Sequence, residues 1–485
     1  MTDKAAARPP VPSPAELNQQ AWTAAGQWGL DGSMSELETL MWRSERHPEL
    51  SSTITALMLL DTTPEWERLR EAHEWAVGLI RRTRERVQEP ILPVGPPVWV
   101  QDEKFELDDH LRRTQLDGGD DLPTLLRYVE RFALAPLDRK RPLWEAMLVE
   151  GLAGDRAAYL LKLHHSVTDG LGGIQLLSLV QSRTREHTPD KPTSRAASSP
   201  TAINSAVLTT RQLASRVGQA PDMLWRSLKF GGEILADPLQ AGDEAVRFTA
   251  SLRRMLPPPP AAPSPLFKGR RGGNWRFGVL ECEFKRLRAA AKAASGSVND
   301  AYIAALLGGL RRYHEVHGKP VESLPMAMPV SLRQGDDPMG GNKFAGALLA
   351  GPVGVSDPVE RIAIIRGTVL TLRTEPALDS FGLFAPMVNL LPSAVGAAAW
   401  RLGATADMSA SNVPGLPYKS YLAGARVERI FAFGPLPGVA IMVAMTTHAG
   451  TCCIGFNVDG DAVADLSVLM ECFAEGLAEV LAIAG

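Results

Sequence analysis

Seven consecutive residues have the types and spacing needed for proton-transfer chemistry. They read HHSVTDG and run from His164 to Gly170. A neutral imidazole is a good general base, because the ordinary pKa of histidine lies near working pH. Asp169 follows the second histidine by four residues, and either Thr168 or Asp169 fits an N-cap role. A carboxylate at a helix start can be held by backbone N–H groups or by an arginine, and this would fix the loop that carries the histidines. The segment is therefore the strongest candidate for a catalytic site in the sequence.

The residues before this segment have the pattern of a β-strand that ends at the histidines. Residues 157–165 read AAYLLKLHH. Successive side chains in a strand point to opposite faces, so His164 and His165 point in opposite directions. We expect the two rings to act separately, one reaching a cavity and the other packed or hydrogen bonded.

Neighbouring segments complete a scaffold around these residues. Residues 144–150 predict a second strand, joined to the first by a GLAGD turn. Trp144 begins that strand, and we interpret it as a core residue that braces the strand of His165. Gly170 permits a tight strand-to-helix turn, and residues 170–182 predict a helix rich in Leu and Ile.

The composition divides the chain into two α/β halves. Residues 184–203 are rich in Pro, Ser, Thr and charge, and residues 257–260 form a proline run. We predict a first domain over 17–190, a linker with helices over 191–270 and a second domain over 271–485. Both domains combine predicted strands with predicted helices.

Charge and cysteine content exclude several functional classes. The chain has 485 residues with 51 Lys plus Arg and 54 Asp plus Glu, a net charge of −3. A nucleic-acid-binding protein needs a basic surplus, so none is expected here. The four cysteines form no CxxC pair, so no metal site is expected. No run of 18 apolar residues and no signal peptide is present, so we expect a cytoplasmic protein.

Short motifs in a fixed order carry a resemblance to a known family. HHSVTDG matches the HHxxxDG motif of the chloramphenicol acetyltransferase-like superfamily. Within that superfamily the chain closely resembles the bacterial wax ester synthase/diacylglycerol acyltransferase family. The other matching segments are residues 97–113, 141–145, 297–300, 329–333, 341–342 and 411–415.

The resemblance implies an α/β fold and a set of roles. The fold would be two chloramphenicol-acetyltransferase-like domains with mixed sheets, joined by a helical and Pro-rich linker, with the active-site channel between them. His165 would be the general base and His164 would support it. Asp169 would be structural, bridged to an arginine for which Arg333 is a candidate.

Two further pairs of residues have alternative interpretations. Asn299 and Asp300 lie at a predicted helix start, where they either cap the helix or shape the channel. Ser411 and Asn412 either donate to the oxyanion of a tetrahedral intermediate or make capping and loop hydrogen bonds.

The resemblance implies an O-acyltransferase that needs no cofactor. Acyl-CoA would be a substrate, the acceptor would be a long-chain alcohol or a diacylglycerol, and the protein would associate peripherally with a membrane or lipid droplets. Two alternatives stay open: a condensation-type enzyme with a carrier-protein thioester donor, and a non-catalytic lipid-binding or droplet protein. The phosphates of CoA need basic residues, and two groups of residues are candidates for binding them. For each group the alternative is ordinary solvated surface charge. The first group is Arg81, Arg82, Arg84 and Arg86, and the second is Lys268, Arg270 and Arg271.

Overall fold

Two mixed β-sheets and the helices packed on them position the HHSVTDG segment. The structure is a computed structural model, and it describes residues 22–23, 25–26, 28–29, 31–47, 50–186, 199–215, 260–267, 272–331, 342, 344–374 and 406–485. Arg333 lies outside these residues, as do Lys268, Arg270 and Arg271.

The first half of the chain alternates strands and helices. Its elements are α1 (Glu36–Ser44), β1 (Thr53–Leu60), α2 (Trp66–Leu79), β2 (Glu85–Gln88), β3 (Val98–Gln101), α3 (Leu107–His110), β4 (Leu111–Gln115), α4 (Leu122–Leu134), β5 (Trp144–Leu152), β6 (Arg156–His164), α5 (Gly170–Val180) and β7 (Gln181–Ser182). The predicted strands at 144–150 and 157–165 and the predicted helix at 170–182 are confirmed as β5, β6 and α5.

The second half repeats this mixture of elements. They are β8 (Trp275–Glu283), α6 (Phe284–Ala293), α7 (Val298–Val316), β9 (Leu324–Ser331), β10 (Phe344–Gly351), α8 (Pro358–Thr374), β11 (Met408–Val413), β12 (Tyr421–Leu422), β13 (Ala425–Phe433), β14 (Ile441–His448), β15 (Thr451–Asp459) and α9 (Leu466–Leu481). No helix within the described ranges is both long and apolar enough to cross a bilayer.

The strand order joins the two halves of the chain. One sheet has the order β4-β5-β6-β1-β13-β12-β7, and the other has the order β10-β9-β11-β14-β15-β8. β13 pairs antiparallel with β1, so residues of the second half complete the first sheet. The two sheets therefore do not divide at residue 271. The sequence does not predict this crossover, because alternation shows that a segment is a strand without showing its partner.

The core between the sheets ties both halves to the strand of the histidines. Phe277 of β8 stacks on Phe433 of β13 with ring centroids 4.0 Å apart. The Phe277 N–H donates to the carboxylate of Glu130 on α4 at 2.8 Å. Leu160 of β6 and Leu57 of β1 are fully buried in the same cluster. β6 is thus held on both faces as well as on both edges.

Candidate active site

The HHSVTDG segment is fixed by backbone hydrogen bonds where β6 ends. The His164 N–H donates to the Leu143 carbonyl at 3.1 Å, and the His165 N–H donates to the Ser52 carbonyl at 2.7 Å. Asp169 is the N-cap of α5 and accepts the Gly172 N–H at 2.9 Å. The turn between strand and helix is therefore held at both ends, as the capping pattern predicted.

The side chain of His164 is fully buried among polar partners. Its Nε2 lies 3.0 Å from a carboxylate oxygen of Glu45. Its Nδ1 lies 2.6 Å from the Ser166 hydroxyl and accepts the Ser166 N–H at 3.0 Å. The indole of Trp42 meets the ring edge-on at a centroid distance of 5.7 Å. This histidine is packed and hydrogen bonded, which is one of the two situations predicted for the pair.

Glu45 owes an acidic pKa to this environment. Burial by itself would raise the pKa of the carboxyl. Attraction to His164 and a hydrogen bond with it, the N–H of Ser52 and the charge of Arg139 outweigh burial and lower the pKa to about 2. Glu45 therefore stays ionised and holds the ring of His164 in place.

His165 points to a different partner from the second half of the chain. Its Nδ1 lies 2.8 Å from the Asn342 side-chain oxygen, and the Asn342 amide donates to the His165 carbonyl at 2.7 Å. The residue is partly accessible, whereas His164 is not. Burial of the ring lowers the pKa of His165, and the hydrogen bond to Asn342 and the charge of Asp169 offset part of that effect. The imidazole is thus kept neutral and able to accept a proton.

Trp144 braces the strand of the histidines from β5. It is buried, and its Cα partner across the ladder is Leu163 of β6. Its indole N–H donates to the Thr83 carbonyl at 2.9 Å. The His110 ring stacks on it at a centroid distance of 4.8 Å. These contacts agree with the interpretation of Trp144 as a core brace.

The predicted oxyanion segment lies beside the start of α5. Ser411 and Asn412 are near the end of β11, and Asn412 is exposed. A Cβ on Gly170 would come within 2.8 Å of a methyl carbon of Val413, the last residue of β11. The structure thus brings together two segments that are 240 residues apart in sequence. The oxyanion role of Ser411 and Asn412 stays a prediction.

Asp300 is a capping residue. Ser297 is the N-cap of α7, its hydroxyl accepts the Asp300 N–H at 3.2 Å, and the Asp300 carboxylate accepts the Ser297 N–H at 2.7 Å. The neighbouring Asn299 amide lies 3.6 Å from the sulfur of Met328 on β9. Of the two interpretations offered for this pair, the contacts of Asp300 agree with capping.

The arginines considered for CoA phosphates include two that are structural. Arg81 and Arg82 are buried and pair with the fully buried Glu85 at 3.0 and 2.9 Å. The guanidinium of Arg82 also stacks over the ring of Trp99. Both guanidinium groups are buried and share the carboxylate of Glu85, so Arg81 and Arg82 do not present an exposed basic patch. The proposed association of Asp169 with Arg333 lies outside the described residues.

Three site residues were not assigned a role from the sequence. Asn342 was named only within the matching segment 341–342, and Glu38 and Glu45 were not singled out. Glu38 had a readable signal, since Ser35 and Glu38 have the spacing of a capping box. Nothing in the sequence shows which residue faces Asn342 or Glu45, because those contacts span 177 and 119 positions.

Comparisons with known proteins agree with the geometry. Residues 34–302 match the model of the wax ester synthase/diacylglycerol acyltransferase catalytic domain, and residues 340–480 match that of the family's C-terminal domain. A Mycobacterium tuberculosis protein named as a diacylglycerol O-acyltransferase is 39% identical over 462 residues, covering 94% of this chain and 93% of the relative. A second one from that organism is 27% identical over 469 residues, covering 93% and 89%.

Solved structures show the same fold at lower identity. The wax ester synthase/diacylglycerol acyltransferase from Marinobacter aquaeolei VT8 matches with a TM-score of 0.63 and 21% identity, covering 93% of this chain and all of that one. The first condensation domain of the calcium-dependent antibiotic synthetase matches with a TM-score of 0.59 and 18% identity, covering 93% and 97%. The fold is thus the chloramphenicol-acetyltransferase-like α/β fold. With both family models matched across the chain, the protein belongs to the wax ester synthase/diacylglycerol acyltransferase family.

Proposed function

We propose that the chain transfers a fatty acyl group from acyl-CoA to the hydroxyl of a long-chain alcohol or a diacylglycerol, with His165 as the general base. Membership of the family supports the acyltransferase activity. The observation that carries the role of His165 is its position: a partly accessible imidazole at the end of a rigid strand, facing residues of the second half of the chain. The Mycobacterium relatives, named for diacylglycerol, favour that acceptor.

The proposed step moves one proton out and back. The imidazole of His165 takes the proton of the acceptor hydroxyl as its oxygen attacks the thioester carbonyl. The tetrahedral intermediate then collapses, the carbon–sulfur bond breaks, and the imidazolium returns the proton to the leaving thiolate. The products are the ester and free CoA, and the enzyme is regenerated without an acyl-enzyme. A positioned base of this kind contributes about 10²–10⁴ in rate.

His164 and Asp169 are positioning residues in this proposal. His164 is sealed between Glu45, Ser166 and Trp42, so it has no access to a substrate. Asp169 caps α5 and places a negative charge near His165. Both residues hold the loop from which His165 projects.

The test is a direct assay with both acceptors. Purified protein is given palmitoyl-CoA with hexadecanol or with diolein, and ester and free CoA are measured together. We expect equal amounts of ester and CoA without any carrier protein. His165→Ala should lose this activity, whereas the matched variant His317→Ala, at the far end of α7, should keep it. An active His165→Ala protein would contradict the base assignment, and lipid binding without turnover by the wild type would favour the non-catalytic alternative.

Peripheral association with lipid surfaces is part of the same proposal. Both acceptors partition into bilayers or droplets, so the active site must receive them from an apolar phase. The protein should float with phosphatidylcholine vesicles that contain diolein. Its release from them should not require detergent. A protein that stays in the aqueous fraction at every lipid concentration would contradict this part of the proposal.

A further inference from the structure

The orientation of the Asn342 amide is fixed by its partners. Its nitrogen lies 2.7 Å from the His165 carbonyl and 3.2 Å from a carboxylate oxygen of Glu38. A carbonyl and a carboxylate only accept hydrogen bonds, so the group that faces them must be the NH₂ donor. The side-chain oxygen of Asn342 is therefore the atom that faces Nδ1 of His165, at 2.8 Å.

The Asn342 oxygen and the main chain of His165 both accept hydrogen bonds from the ring, and the position of the Asn342 oxygen identifies which ring nitrogen carries the proton. An amide oxygen only accepts, so the Nδ1 atom must be the donor. A neutral imidazole has one N–H, and its other nitrogen then carries the lone pair. For His165 that other nitrogen is Nε2. The opposite tautomer would place a lone pair against the Asn342 oxygen and would leave Nε2 unable to take a proton.

Glu38 holds the amide in this orientation. One of its carboxylate oxygens accepts the Ser35 N–H at 2.8 Å in the capping box of α1, and the other faces the Asn342 amide. The Glu38 N–H in turn donates to the Ser35 hydroxyl at 3.2 Å. Glu38 is 8% exposed, so the hydrogen bonds it makes are largely shielded from water. A helix cap in the first half thus controls an amide of the second half.

We propose that Glu38 and Asn342 form a positioning relay that fixes the proton of His165 on Nδ1 and leaves Nε2 as the base. The relay rests on the proposed base role of His165 and deepens it. It joins residues that lie 304 and 177 positions apart, so the base is set in its reactive form only when the two halves of the chain are docked. In serine proteases an aspartate on the histidine has the corresponding task, and its loss costs about 10⁴ in rate through the wrong tautomer.

Kinetics of Asn342→Ala give the first test. We expect kcat to fall by about 10- to 100-fold, less than the loss of the base itself, with the KM for palmitoyl-CoA little changed. A residue with a merely structural role would lower the amount of folded protein and leave the kcat of the folded fraction unchanged. A wild-type kcat in folded Asn342→Ala protein would overturn the relay.

Asn342→Asp provides the conservative counterpart. The carboxylate keeps an acceptor against Nδ1, so it preserves the tautomer, and its charge raises the pKa of His165. Its second oxygen replaces the NH₂ donor that faces Glu38, so Glu38→Gln is combined with it to restore a donor at that contact. Within the described residues, the charged and titratable groups that influence this ring include Asp169, His164 and, through Asn342, Glu38, beside the hydrogen bond to the main chain of His165. We expect the acidic limb of the kcat/KM profile to move to higher pH, with activity restored toward wild type at alkaline pH. A profile that does not move would overturn the proposal even where Asn342→Ala fails to fold.

Two matched variants separate the contact of Glu38 with Asn342 from its role in capping α1. Glu38→Ala removes both the cap and the contact to Asn342, whereas Ser35→Ala removes the hydroxyl of the cap and keeps the contact. Both variants should lose a similar amount of thermal stability, and only Glu38→Ala should lose kcat. Equal kcat values in the two variants would contradict the relay beyond Asn342.

Nitrogen NMR reads the tautomer without any activity measurement. In wild-type protein with ¹⁵N-histidine, the Nε2 resonance of His165, assigned by its absence in His165→Ala, should have the shift of an unprotonated nitrogen at pH 7.5. In Asn342→Ala it should move toward that of a mixture of tautomers. A failure of the proposed function appears as full activity in His165→Ala, whereas a failure of the relay appears as an inactive His165→Ala beside an unchanged Asn342→Ala.

Discussion

The surroundings of His164 and His165 differ although the residues are neighbours in sequence. His164 faces a carboxylate from α1, is sealed by Trp42 and is not exposed at all. His165 faces an amide from the second half of the chain and is partly accessible. The carboxylate of Glu45 faces Nε2 of a ring whose Nδ1 accepts the Ser166 N–H, so both ring nitrogens of His164 are occupied, whereas the neutral amide of Asn342 orients the ring of His165 without adding charge. One histidine is therefore a structural partner, and the other can work as a base.

This contrast shows how strand geometry divides one dipeptide between two tasks. β6 ends at His164 and His165 begins the turn that follows, so the first ring meets Glu45 and Trp42 while the second meets Asn342. A change at either histidine should therefore affect a different observable: activity at His165 and stability at His164.

The largest expected effect breaks the active side of the comparison. His165→Ala should lower kcat by about 10²–10⁴, because the acceptor hydroxyl loses its base. The unfolding midpoint should change little, since the ring is partly accessible and its main-chain bond to Ser52 remains. Steady-state assays and thermal unfolding of the same preparation check both halves of the prediction.

The next effect breaks the structural side. His164→Ala removes the nearest hydrogen-bond donor of the partly buried Glu45 carboxylate, and a hydrogen bond to a charged group is worth about 1.5–3 kcal/mol. We expect a marked fall in the unfolding midpoint, with kcat per folded molecule within a few-fold of wild type. A stable but inactive His164→Ala protein would contradict the division of tasks and place both rings in catalysis.

The motif that carries His165 was more predictable from the sequence than the residues that contact it. Residues 164–170 and the strand before them could be predicted because the motif, the alternation and the capping are local patterns. The contacts of Asn342 with Glu38 and His165 could not be predicted, because they join positions that are 304 and 177 residues apart in the sequence. The same holds for β13 beside β1, since alternation fixes the faces of a strand and not its neighbour. Arg81 and Arg82 show the opposite case: local charge made them candidates for a basic patch or a solvated face, and the structure buries both against Glu85.

The pH dependence of stability tests the structural role of the contact between Glu45 and His164. The pKa of Glu45 is about 2 in the folded protein, below its ordinary value of 4.5. A depressed carboxyl pKa contributes stability that is complete above about pH 4.5 and is lost as the pH falls toward 2. The contribution is at most about 3 kcal/mol by the linkage between pKa and free energy. Urea unfolding of wild type and Glu45→Gln from pH 2 to 6 should show the gap between them open over that range. A gap that is the same at pH 2 and pH 5 would contradict the assignment of the low pKa to Glu45.

The smallest expected effect tests whether the contact between the start of α5 and β11 helps to position His165. A Cβ at Gly170 would meet a methyl carbon of Val413 at 2.8 Å, closer than van der Waals contact allows. Gly170→Ala should therefore cost about 1–3 kcal/mol of stability through overpacking, and it should lower kcat because the loop of His165 moves with the start of α5. Val413→Ala removes the clashing methyls, so the double variant should recover most of both losses. Recovery of stability without recovery of kcat would mean that β11 packs on α5 but does not help to position His165. Recovery of neither would place the cost of Gly170→Ala in the turn itself, away from β11.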